Sequence, residues 1–295
     1  MEQNTKDNFF KDLFNKYNIK PTKSLGQNFL IDDFALNCIV DALNINEKDT
    51  LIEIGAGFGA LSKEIAKKSD KFIAVEIDKH LIAPLKNVFK EYETVKIINK
   101  DFLELNIENE LYEYLNDMPQ SLKIVGNLPY YITTPIIMKL LESSVNINTI
   151  VIMVQKEVVD RITAKPGTNE YGPLAIAIQY FCKPEVLFNI PPHCFYPKPK
   201  ISSTVIRFKG YENSMTKVHN KKLFIDVVKA SFSQRRKTLI NSLSNSNSLS
   251  IDKGKICTIL KELGIDSNIR GESLSITQFV QLTNSIEGIL GIIKK

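Results

Sequence analysis

The sequence predicts a doubly wound α/β domain over residues 1–209, followed by a small all-helical domain over residues 210–295. Three observations predict it. Short Val- and Ile-rich runs alternate with helical patterns through the first two-thirds of the chain. Those runs are almost continuously apolar, as strands buried on both faces of a parallel sheet must be. Beyond Gly210 the patterns turn helical. The 295 residues, 43% hydrophobic and 24% charged, suffice for two domains at about 150 residues each.

In chain order, a helix is expected over Asp33–Leu43, then strands over Thr50–Ile54, Phe72–Ile77, Val95–Asn99, Leu122–Gly126 and Thr149–Val154. Helical patterns at Ala60–Lys68, Lys79–Glu91, Ile107–Leu115 and Pro135–Leu141 separate them. Tyr171–Cys182 reads as a further helix, and Pro184, Pro191, Pro192, Pro197 and Pro199 then punctuate a loop. Ile201–Phe208 alternates like a strand, and helices follow at Lys221–Ser231, Arg236–Leu243, Lys253–Leu263 and Ile276–Ile286. The polar tract Asn241–Ser250 reads as a mobile loop.

No apolar run reaches the roughly 18 residues of a membrane span. The first twenty residues, which mix charged with apolar side chains, lack the apolar centre of a signal peptide. The expectation is a cytoplasmic monomer. Cys38, Cys182, Cys194 and Cys257 are widely spaced, which suits reduced thiols, and three scattered histidines suggest no metal site. The net charge of +5 is unevenly placed: Tyr196–Ile240 holds eleven basic residues and two acids. A field concentrated in this way attracts polyanions, and a nucleic acid is the expected partner.

The chemistry-bearing residues fall at strand ends, where open α/β sheets bind ligands. The first strand runs into Gly55-Ala56-Gly57-Phe58-Gly59. The Gly-x-Gly-x-Gly spacing differs from the Gly-x-Gly-x-x-Gly of dinucleotide sites. Glu53, just before the glycines, suits a cationic ligand better than a phosphate. Glu76 ends the second strand, where a carboxylate can accept both ribose hydroxyls of an adenosine, and Asp101 follows the third. Together the three acids point to S-adenosylmethionine, which carries a sulfonium and an ammonium.

After the fourth strand comes Gly126-Asn127-Leu128-Pro129-Tyr130. An exocyclic amine on an aromatic ring is a poor nucleophile because its lone pair is delocalised. The Asn127 amide oxygen and the Leu128 carbonyl could accept its two hydrogens and aim that lone pair. Pro129 restricts Leu128 before it, and Tyr130 offers a stacking face for a flipped base. Phe195-Tyr196-Pro197-Lys198-Pro199-Lys200 is a stiffened loop that could close on the base through Phe195 and hold phosphates through Lys198 and Lys200.

With these residues in place, the chain resembles the ribosomal RNA adenine N6-dimethyltransferases, and most closely their KsgA-type branch, which acts on small-subunit RNA. The resemblance runs through Lys23–Leu30, Glu53–Gly59, Glu76, Asp101, Asn127–Tyr130, Phe195–Ser203 and Ala230–Leu243. It implies a Rossmann-like methyltransferase domain whose cofactor site includes Gln27, Asn28, Leu30, Gly55, Gly57, Glu76, Ile77, Asp101, Phe102 and Asn127. It implies catalysis by Asn127 to Tyr130 with Phe195, and an RNA contact through Lys198, Lys200, Arg235, Arg236 and Lys237. Its expected substrate is a pair of adjacent adenines in a hairpin loop near the 3′ end of 16S rRNA, on an immature 30S subunit, each receiving two methyl groups. The alternatives are a 23S rRNA methyltransferase of the macrolide-resistance type and an RNA-binding assembly factor. A DNA or protein-glutamine methyltransferase is disfavoured, because Leu128 stands where those enzymes commonly carry Pro.

Overall fold

The computed structural model describes residues 12–22, 25–92, 94–109, 113, 119–129, 131–143, 145–210 and 217–291. The chain forms two compact units, one of Met1–Val159 with Glu185–Gly210 and one of Asp160–Pro184 with Tyr211–Lys295. This differs from the single cut after residue 209. The composition shift at Gly210 is visible in sequence, but the partner that claims residues 160–184 lies much later in the chain. The Tyr171 hydroxyl donates to the carbonyl oxygen of Leu274 at 3.0 Å, and the Tyr180 and Phe224 rings meet at 4.5 Å.

In the first unit a short strand, β1 (Phe29–Leu30), precedes α1 (Asp33–Leu43). Asp32 caps α1 by accepting from the Ala35 amide at 2.8 Å. There follow β2 (Asp49–Ile54), α2 (Ala60–Ala66), β3 (Phe72–Glu76), α3 (Ile82–Val88), β4 (Val95–Asn99), β5 (Ser121–Asn127), α4 (Thr133–Glu142) and β6 (Ile147–Gln155). Helix α5 (Lys156–Ile162), which sequence reasoning missed, and α6 (Pro173–Phe181) lead to β7 (Cys182–Ile190), β8 (Phe195–Tyr196) and β9 (Ser203–Gly210).

Among the described residues the sheet has seven strands in the order β4-β3-β2-β5-β6-β9-β7. The first five are parallel, and β9 runs antiparallel to β6. This is the expected Rossmann-like winding with an antiparallel edge. The chain begins in mid-sheet at β2, moves outward through β3 and β4, then returns to β5. The order therefore reverses between β2 and β5, and a crevice opens at their carboxyl ends.

Two expectations need correction here. The stretch after Cys182 was expected to be a loop, because Pro184 breaks the pattern. It is a strand, and its place at the end of the strand order explains the tolerance, since an edge strand can spare a ladder donor. The short β8 pairs with β1, Phe195 opposite Leu30, so part of the proline-rich loop is ordered by a strand from the other end of the domain. The region 107–115 lies largely outside the described residues.

At the amino ends of β2 and β5, Lys123 pairs with Asp49 at 2.6 Å and both side chains are buried. At the carboxyl ends the strands close tightly at Gly126. A Cβ there would sit 2.7 Å from the Ile54 carbonyl oxygen and 3.0 Å from Leu128 Cδ2.

The second unit packs α6 with α7 (Lys221–Phe232), α8 (Leu239–Ser244), α9 (Lys253–Glu262) and α10 (Ile276–Leu290). Ser275 and Gln278 form a reciprocal capping box on α10. The tract Asn241–Ser250, expected as a mobile loop, begins inside a helix. Its first residues finish α8, capped by Thr238, and Leu243 and Leu249 are buried. Helix α8 also starts later than expected, so Arg235, Arg236 and Lys237 occupy the preceding turn.

Replacing Gly126 by Ala forces β2 and β5 apart at their carboxyl ends. The expected cost is about 1–3 kcal/mol, read as a lower urea midpoint. An unchanged midpoint would show that the strands have room to spare.

Candidate active site

The glycine turn after β2 is built by backbone. The Gly55 amide donates to the Val75 carbonyl oxygen at 2.8 Å, and Gly55 and Gly57 have φ of 77° and 60°, a region that favours glycine. The Gly57 amide donates to Glu76 Oε2 at 2.8 Å. The other oxygen, Oε1, accepts from the Asp78 amide at 2.8 Å. Glu76 is 4% exposed and ties the glycine turn to the end of β3. Burial is the main cause that raises its pKa.

Glu53, 2% exposed, accepts a hydrogen bond from the Ser62 hydroxyl on α2. Burial pushes its carboxyl up to about 8; the Ser62 hydrogen bond opposes this, and the Glu76 carboxylate adds to it.

Asn127 ends β5. Its amide nitrogen donates to the Asn28 carbonyl oxygen at 2.7 Å. That oxygen can only accept, so the side chain must present nitrogen to it. Oδ1 is then the acceptor left to the group. Leu128 is buried, and the Pro129 carbonyl oxygen accepts from the Ile132 amide at 3.1 Å and the Thr133 hydroxyl at 3.0 Å. The turn is held from both sides.

Most of the expected cofactor residues share one cavity: Gln27, Asn28, Leu30, Gly55, Gly57, Glu76, Ile77 and Asn127 line it, with Leu128 and Pro129. Among the lining residues given no site role from sequence are Phe29, Leu36, Phe58 and Met153. Met153 stands near the carboxyl end of β6, a position that strand order alone could have flagged. Ser62, the partner of Glu53, carried no signal in sequence. Gln27 lines the cavity, but its amide is engaged in bracing: Oε1 accepts from the Thr22 amide and Nε2 donates to Asp78 Oδ2, both at 2.8 Å.

Other expected residues stand elsewhere. Asp101 and Phe102 are outside the cavity lining. Asp101 caps its own turn by accepting from the Leu103 amide at 2.8 Å, and Phe102 is buried. Phe195 is 1% exposed and packs in the core cluster with Leu30 and Leu36. Its pairing with β1 buries the ring, so the structure does not bring it to the cavity as the catalytic expectation required. Tyr130 lies outside the described residues. In the first unit Lys198 and Lys200 are exposed. In the second, Arg235, Arg236 and Lys237 are all exposed, and Arg235 Nη2 also donates to the carbonyl oxygens of Asn169 and Tyr171 at 2.7 and 3.0 Å. Arg235 is thus a brace within its own unit.

Known proteins resemble this chain in sequence and in fold. The model of the family described as ribosomal RNA adenine dimethylase matches residues 18–287. A ribosomal RNA small subunit methyltransferase A of Clostridioides difficile (strain 630) is 45% identical over 286 residues, covering 97% of this chain and 98% of the relative. Its counterpart in Bacillus cytotoxicus is 47% identical over 277 residues, 94% of each chain. The crystal structure of a dimethyladenosine transferase from Plasmodium falciparum has a TM-score of 0.69 at 24% identity, over 85% of this chain and 94% of that one. That of the 23S rRNA methyltransferase ErmE reaches 0.59 at 20% identity, over 88% and 99%. At such identities the two structures speak for the fold. The family match and the relatives, which span nearly the whole chain, establish that this chain belongs to the ribosomal RNA adenine dimethylase family, the one its own motifs resemble.

Proposed function

We propose that the protein transfers methyl groups from S-adenosylmethionine to N6 of two adjacent adenosines in the 3′-terminal hairpin loop of 16S rRNA, on an immature small subunit in the cytoplasm. The observation that carries this reading is the Asn127 amide, fixed by the Asn28 carbonyl at the rim of the glycine-turned crevice. The crevice suits the cofactor. Its described lining holds Glu53 and Glu76 and no basic side chain, so it disfavours a diphosphate and tolerates a cation. Each Glu76 oxygen accepts from a backbone amide, and a carboxylate oxygen with lone pairs to spare can also accept from a ribose hydroxyl. Phe29, Leu30 and Ile77 supply apolar surface for a flat base.

When bound, S-adenosylmethionine supplies a methyl group made electrophilic by its sulfonium. The protein's part is to make the amine nucleophilic and to aim it. Asn127 Oδ1 and the Leu128 carbonyl each accept one N6 hydrogen. That grip draws the nitrogen out of conjugation and holds it on one line of approach. Buried Leu128 and the braced Pro129 carbonyl keep the second acceptor from yielding. No base is required first, because the proton becomes acidic once the nitrogen carries a methyl group. Tyr130 is assigned the stacking face for the extruded base.

The exposed bases of both units supply phosphate contacts to the RNA. Lys198, Lys200, Arg236 and Lys237 are assigned that role, and Arg235, whose Nη2 donates to two carbonyl oxygens, is assigned to bracing.

Incubated with unmethylated 30S and 50S particles in parallel reactions with labelled cofactor, the protein is expected to yield N6,N6-dimethyladenosine in 16S rRNA. Label confined to 23S rRNA would contradict the reading. Asn127→Ala should lower turnover by about a hundredfold or more and leave RNA binding intact; full turnover would remove Asn127 from the chemistry. In a filter-binding salt titration, the Arg236→Ala, Lys237→Ala double variant should lower the salt slope by about 2. Arg235→Ala should instead lower the melting temperature and spare the slope. The reverse pattern would assign Arg235 to the RNA.

A further inference from the structure

Glu53 is a buried carboxyl group that the methyl-transfer chemistry does not use. We propose that it enters each cycle as a neutral acid and gives up its proton to solvent when the cationic cofactor occupies the crevice. This rests on the reading above, that the ligand is S-adenosylmethionine. The O–H bond of Glu53 breaks, the proton passes to bulk buffer, and the carboxylate left behind faces a positive ligand.

The geometry supports it from every side of the residue. Helix α2 offers only the Ser62 hydroxyl. Strand β3 brings a second buried acid, Glu76, with Asp78 just beyond it. The facing residue on β5 is Val125, and Asn127 at the end of that strand is neutral. No Lys, Arg or His is among the described residues that line the cavity. Two buried acids sharing a wall without a counter-charge each disfavour the other's ionisation. Glu76 is the one held as a carboxylate, since two backbone amides donate to it. Glu53, with one hydroxyl partner, keeps the proton, and its pKa of about 8 agrees. A cation in the crevice supplies the missing charge and reverses the balance.

The sign follows directly. The ligand favours the deprotonated form, so its affinity rises with pH toward 8, by up to about tenfold per pH unit, and levels off above. Calorimetry of S-adenosylmethionine binding at pH 7, in buffers of different ionisation enthalpy, counts the protons released. The cofactor's own amino group titrates nearby and contributes equally to any variant, so the comparison with Glu53→Gln is decisive. Wild type is expected to release on the order of one proton more than Glu53→Gln, whose affinity should lose the corresponding rise with pH. Should Glu53→Gln fail to fold, infrared difference spectra of the wild-type protein answer the same question: a protonated-carboxyl band disappears on binding. Equal proton release by wild type and variant, or an unchanged carboxyl band, would overturn the proposal while leaving the cofactor reading intact. No binding in any buffer would overturn both.

Discussion

The active end of this molecule depends on one hydrogen bond, from the Asn127 amide to the carbonyl oxygen of Asn28 at 2.7 Å. It joins residues 99 positions apart in sequence. Because its acceptor is a carbonyl, it does more than hold the side chain: it decides which end of the carboxamide remains for a substrate amine. The rest of the domain serves that bond. The sheet reverses its order between β2 and β5, which places the glycine turn beside Asn127. The segment bearing Asn28 is braced in turn by Gln27, through Asp78, to the end of β3.

The charge distribution separates two tasks. The crevice wall carries acids and, among the described residues, no bases. The basic residues of the chain concentrate elsewhere, in Tyr196–Ile240. An RNA phosphate is therefore attracted to the protein but not into the cofactor cavity, while a small cation finds the reverse. Charge count alone misjudges single residues. Arg207 pairs with Glu185 at 2.7 Å and bonds the Ala42 carbonyl at 3.1 Å, and exposed Arg235 gives Nη2 to two carbonyl oxygens.

Much of this was legible in the sequence because it is local. Apolar runs gave the parallel strands, and strand ends gave Gly55, Glu76 and Asn127. What the sequence hid is what depends on pairing across long separations. Strand β7 was masked by Pro184, harmless only at a sheet edge. Phe195 looked like a loop aromatic until β1 paired over it. Asp101 was grouped with Glu53 and Glu76 because all three fall at strand ends, yet its carboxylate caps a local turn. Residues 160–184 belong with helices far downstream, a fact no local pattern carries.

The central claim concerns where the Asn127 oxygen points. The most direct measurement is a crystal structure with an adenosine joined to a methyl-donor analogue. The account predicts Asn127 Oδ1 at about 3 Å from the adenine N6, with the amide nitrogen still on the Asn28 carbonyl. A complex in which Oδ1 faces away from N6, or in which the Asn28 bond has been exchanged for another, would contradict it.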